Sequence, residues 1–83
     1  MNECLFTSRG ETRARLMLGE LSRKGIRASY RRLPMELARE GCAYGVAVSA
    51  EDRARALHIL KLAGFPPRRV YCYSGGGWRE VQA

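Results

Sequence analysis

Two helical stretches, each closed by a glycine, divide this chain into matching halves. In the first, Ala14, Met17, Leu18 and Leu21 recur at i, i+3, i+4 and i+7, with Arg13, Glu20 and Arg23 on the other side. The stretch runs to about Lys24 and meets Gly25. In the second, Ala56, Leu57, Leu60 and Ala63 share one side and Gly64 follows. Such spacing gathers the apolar side chains on one helical face that has to be buried, and a glycine directly after it is the common stop. Short runs of strand character flank both helices. Glu3 to Thr7 precedes the first, and Ile26, Ala28 and Tyr30 alternate with Arg27, Ser29 and Arg31 after it. The small and β-branched run Ala43 to Val48 precedes the second, and Arg69 to Tyr73 follows it. The order is strand, helix, strand, strand, helix, strand.

Local signals sharpen the boundaries. Ser8 followed by Glu11 fits a capping box at the start of the first helix, and Ser49 with Asp52 repeats the signature in weaker form before the second. Leu33-Pro34 breaks the second strand, because proline has no ladder donor and a fixed φ. Met35 to Glu40 then has room for about one and a half helical turns ending at Gly41. Two βαβ units in this order imply an α+β protein: a ferredoxin-like split βαβ sandwich (βαββαβ). Its four-stranded antiparallel sheet would be ordered fourth, first, third, second, with two helices on one face. At 83 residues the chain has room for one domain. Residues 1–74 are assigned to it, and the glycine-rich segment 75–83, with Trp78, is read as a flexible tail.

Composition narrows the function classes. Hydrophobic residues make up 46% and charged residues 28%, the balance of a soluble domain and not of a disordered chain. No apolar run reaches the ~20 residues that span a bilayer, and the opening Met-Asn-Glu-Cys-Leu-Phe lacks signal-peptide character, so a soluble cytoplasmic protein without membrane insertion is expected. A domain this small has little volume for a deep, enclosed substrate cavity. The net charge of +7 suggests an acidic partner or a nucleic acid. The arginines are spread along nearly the whole chain, however, which weakens the case for a nucleic-acid tract.

Chemistry-bearing residues are few. Cys4, Cys42 and Cys72 include no C-x-x-C pair, and His58 is the one histidine, so neither a metal nor a cofactor is expected. In a reducing cytoplasm the three cysteines should be thiols. Cys4 and Cys72 open the first strand and lie near the end of the last, so they are expected as neighbours, either two packed thiols or a redox-sensitive pair. His58 sits mid-helix without a motif partner. Tyr30, Tyr44, Tyr71 and Tyr73 could serve as base-stacking platforms, but RNP-type spacing is absent, and Tyr44 and Tyr71 are read as packing sheet faces. Cys42 is the remaining candidate. The topology would bring it near the entrance of the first helix, whose partial positive charge, with Arg31, Arg32 and Arg39, favours a thiolate. The C-terminal end of the Met35 to Glu40 turn acts in the opposite sense, and a buried structural cysteine is the competing reading.

The stretch from Tyr30 through Pro34 to Gly41-Cys42 resembles the small bacterial selenium/sulfur carrier protein-like family, a domain otherwise of unknown function. The likeness covers about residues 4 to 73. It includes Ala14, Leu18 and Leu21, the pair Gly25-Ile26, and the spacing of Pro34 to Gly41-Cys42 before the third strand. Ala43 stands where the family tends to carry glycine, and Glu36 where it has a second proline. The resemblance implies a cofactor-free thiol carrier more than an enzyme with its own turnover. Cys42 would be the nucleophile, Arg32, Arg39, Pro34 and Gly41 would form the binding surface, and a cysteine desulfurase-like donor and an acceptor protein would be the partners. The competing expectation is a non-catalytic protein- or nucleic-acid-binding module with a basic surface. Whether strand edges pair into a dimer stays open at this level.

Overall fold

The computed structural model describes residues 2–38 and 41–83. These residues form an α+β arrangement of β1 (Glu3–Ser8), α1 (Glu11–Arg23), β2 (Ala28–Arg32), β3 (Tyr44–Ser49), α2 (Arg53–Leu62), β4 (Val70–Ser74) and β5 (Gly77–Val81). Short 3-10 turns occupy Met35–Leu37 and Ala50–Asp52. The strands make one sheet in the order β2-β3-β1-β4-β5, and every neighbouring pair is antiparallel.

Strand alternation sorts the sheet into two faces. Cys4, Phe6, Val46, Val48 and Val70 point to one side, where they pack with Met17 and Leu21 of α1 and Ala56 and Leu60 of α2. Met17, Leu21 and Leu60 are fully buried there, and each contributes roughly 1.5–3 kcal/mol through removal from water. Leu5, Ala47 and Tyr71 point to the other side and meet Leu33, Leu37 and Cys42, with Trp78 packed against them. The helices therefore cover one face, and the connection between β2 and β3 folds back over the other.

Both helices stop where the sequence places their stops. The amide of Ile26 donates to the carbonyl of Leu21 at 2.9 Å, and that of Phe65 to the carbonyl of Leu60 at 2.9 Å, the six-to-one closure that seats an apolar residue just past the helix end. The starts differ from expectation. Ser8 ends β1, and its hydroxyl is engaged with the backbone of Gly10, which is itself the N-cap of α1 without a side-chain capping bond. Glu11 pairs with Arg15 one turn along. Ser49 hydrogen-bonds the carboxylate of Asp52 at the 3-10 turn ahead of α2, again without capping the helix backbone.

Two further expectations are corrected. The sheet has five strands among the described residues, not four, because residues 77–81 form β5 and not a tail. Gly75 and Gly76 adopt φ of 60° and 85°, the left-handed pair that a two-residue hairpin turn requires, and β5 returns antiparallel along β4. The turn expected over Met35 to Glu40 is a shorter 3-10 turn, Met35–Leu37, and residues 39 and 40 lie outside the described residues.

Candidate thiol site

Cys42 lies within the β2–β3 connection, just before β3. At 4% exposure its side chain is buried in the cluster of Leu5, Leu33, Leu37, Ala47 and Tyr71. The sequence dictates this cover in a few steps. Pro34 turns the chain off the sheet, and its carbonyl accepts from the amides of Leu37 at 2.9 Å and Ala38 at 3.1 Å. That tight turn points Leu37 inward and leaves Met35 at the crest, 92% exposed. The base of the connection is closed by the Leu33 amide donating to the Ala43 carbonyl at 2.9 Å. Gly41, with φ of 78°, reverses the chain immediately before Cys42.

The start of β3 does lie beside the end of β1, with Tyr44 opposite Ser8. Cys42 nevertheless belongs to the face away from α1, so the expected help from that helix's partial charge is corrected: an apolar cluster surrounds the sulfur instead. The arginines are also placed differently. One guanidinium nitrogen of Arg31, Nη2, donates to both carboxylate oxygens of Glu3 at 2.9 and 3.0 Å, and Arg32 lies over the Tyr44 ring at 5.9 Å. Arg39 falls outside the described residues. Pro34 and Gly41 flank the thiol as elements of the connection that covers it.

Tyr71 packs a sheet face as expected, and its place beside Cys42 is what the sequence reading does not supply. It is 2% exposed, belongs to the same cluster as Cys42, and its hydroxyl has no hydrogen-bond partner among the described residues. A buried hydroxyl without a partner is uncommon and places a polar atom in an otherwise apolar layer. The signal was the strand alternation Tyr71, Tyr73, which sets both rings on the face opposite Cys72.

The remaining cysteines are joined. Cys4 and Cys72 are neighbours as expected, directly opposite each other on β1 and β4, and they form a disulfide, which corrects the expectation of thiols. Register is the reason, since direct cross-strand positions bring the two sulfur atoms together on the helical face. Cys42 is the free cysteine. His58 is exposed on α2. Tyr30 and Tyr44 stack on one another at 5.7 Å, with Arg15 over Tyr30 at 4.4 Å, so their faces are already occupied. Burial raises the Tyr30 phenol above its ordinary value, and the charge of Glu11 adds to the effect. A cavity of about 550 Å³ opens beside Arg27, Ala28, Ser29, Ser49 and Asp52, and Cys42 does not line it.

The arrangement is a shielded thiol under a short cover, on the opposite sheet face from a disulfide. No family model, curated protein or solved structure matches the chain. Among the described residues no helix is long and apolar enough to cross a membrane.

Proposed function

We infer that this chain is a sulfur or selenium carrier that holds the transferred atom on Cys42. One observation carries the reading: with Cys4 and Cys72 joined, Cys42 is the free cysteine, and a short irregular connection holds it, not a helix or strand. A connection of this kind can lift from the sheet without breaking a ladder, and local openings of such segments cost less than global unfolding. The apolar cover then has a purpose, since a persulfide kept from water and from other thiols is not lost between partners.

The transfer balances without a cofactor. A Cys42 thiolate attacks the outer sulfur of a donor's persulfide, a new S–S bond forms to Cys42, the donor's S–S bond breaks, and the electron pair leaves with the donor cysteine as its thiolate. The proton on the outer sulfur travels with it. Selenium follows the same path, with Cys42 holding a selenosulfide. Attack by an acceptor thiolate reverses the step and restores Cys42. A cysteine desulfurase-like protein is the donor in this reading, and Arg32, exposed at the entry to the connection, assists docking of an acidic partner. The surplus of positive charge speeds that encounter at low salt. In the same reading the architecture is a ferredoxin-like split βαβ sandwich extended by the β4–β5 hairpin, and the chain works in the cytoplasm.

The test is intact-mass spectrometry after exposure to a cysteine desulfurase with cysteine or selenocysteine, with the modified residue mapped by fragmentation. A reducible adduct on Cys42, absent in Cys42→Ala, supports the carrier. No adduct under conditions that load a reference carrier rejects it in favour of a non-catalytic binding module.

A further inference from the structure

We propose that the Cys4–Cys72 pair is a reversible thiol–disulfide exchange site, separate from Cys42, that reacts with a dithiol partner and uses Arg53 to hold the Cys72 sulfur as a thiolate. Three observations converge on it. The two cysteines occupy directly opposed positions in the β1–β4 register and are bonded to each other. They differ in access: Cys4 is fully buried in the core beneath the helices, while Cys72 is partly exposed. The guanidinium of Arg53, the first residue of α2, donates to the Cys72 sulfur at 3.7 Å. A sulfur with a cation beside it leaves as a thiolate more readily than one in apolar surroundings.

These asymmetries order the steps. A thiolate of the partner attacks the accessible Cys72 sulfur, the Cys4–Cys72 bond breaks, and the electron pair passes to the Cys4 sulfur, which takes up a proton and returns to the core as a thiol. The partner's second thiol, deprotonated, attacks its own sulfur in the mixed disulfide and releases Cys72 as a thiolate facing Arg53. The sum is one protein disulfide plus one dithiol giving two protein thiols plus the partner's disulfide, with two electrons moved to the protein. In the reverse direction Arg53 keeps Cys72 nucleophilic toward an oxidised partner. Cys42 takes no part, because it lies on the other sheet face from both sulfurs.

Equilibration in dithiothreitol buffers of graded reduced-to-oxidised ratio, followed by alkylation and intact-mass counting, tests this. In Cys42→Ala the expected result is two alkylations that appear and disappear together and reversibly. Arg53→Gln should require about threefold or more of the reduced-to-oxidised ratio for half reduction. In the reduced chain at pH 7, Cys72 should be alkylated faster than Cys4, with the advantage falling in Arg53→Gln. A disulfide that fails to re-form between Cys4 and Cys72, or an unchanged half-reduction point together with unchanged Cys72 reactivity in Arg53→Gln, overturns the proposal. None of these readings depends on sulfur loading at Cys42, so a failure of exchange and a failure of loading are told apart.

Discussion

Leu33 closes over Gly45. A β-carbon at Gly45 would stand 3.1 Å from Cδ2 of Leu33 and 2.6 Å from the backbone oxygen of Phe6 on the neighbouring strand. The first contact is with a side chain that can shift, whereas the second is with the backbone of β1, which β3 and β4 hold on both sides. Gly45→Ala should therefore destabilise the chain by about 1–3 kcal/mol, through overpacking and not through backbone conformation. Urea unfolding of the variant against the parent measures it, and equal midpoints would show that β1 and β3 separate more easily than their register implies.

The disulfide fixes β4, which pairs with β1 through Cys72, Tyr71 and Val70. It links residues 68 apart in sequence, so its reduction should lower stability by roughly 2–4 kcal/mol. Thermal unfolding with and without a phosphine reductant reports this as a fall of about 10 °C or more for the parent. The double variant Cys4→Ala/Cys72→Ala should show no dependence on the reductant.

Burial of Cys42 sets its rate of modification. In the native chain, N-ethylmaleimide should react with Cys42 about tenfold or more slowly than with an exposed thiol, because the β2–β3 connection must open first. Leu37→Ala removes a buried side chain of the cover and should raise that rate about tenfold, without a comparable change in Arg53→Gln. Equal rates in Leu37→Ala and the parent would mean that reagents reach Cys42 by another route.

Tyr30 carries a dependence on alkaline pH. Its hydroxyl is shielded from solvent, and that desolvation, with the nearby Glu11 carboxylate, favours the neutral phenol and raises its pKa. A raised folded-state value means that this group's contribution to stability is complete below the ordinary phenol value of 10.0 and is lost as pH rises through the higher folded value. Phenolate absorbance should include a late-titrating component that Tyr30→Phe removes, together with part of the stability loss above about pH 10.

The parts of this fold written in the sequence are those set by neighbours within a few residues. The apolar faces of α1 and α2 and the stops after them follow from spacing that a helix must honour, and the four main strands flank them. β5 was missed because three glycines and the mixed run Trp78-Arg79-Glu80 give no β-branched pattern, although two adjacent glycines are themselves a hairpin signal. Ser8 illustrates another limit: capping depends on whether the chain is still extended there, and pairing with Tyr44 keeps it so. Cys42 was singled out, yet its surroundings were not legible, since the side to which a connection folds is a tertiary choice made by Leu33 and Leu37 together. The disulfide needed the register of β1 against β4, which no local pattern supplies.

The two outermost strands carry a consequence for behaviour in bulk. β2 ends in Arg31 and Arg32, and β5 carries Arg79 and Glu80, all exposed. A free strand margin invites another sheet to continue its ladder, and fixed charges there oppose the approach of an identical margin. At the β2 margin part of the basic surplus thus has a second use: charge that would draw an acidic partner also works against edge-to-edge pairing of identical copies.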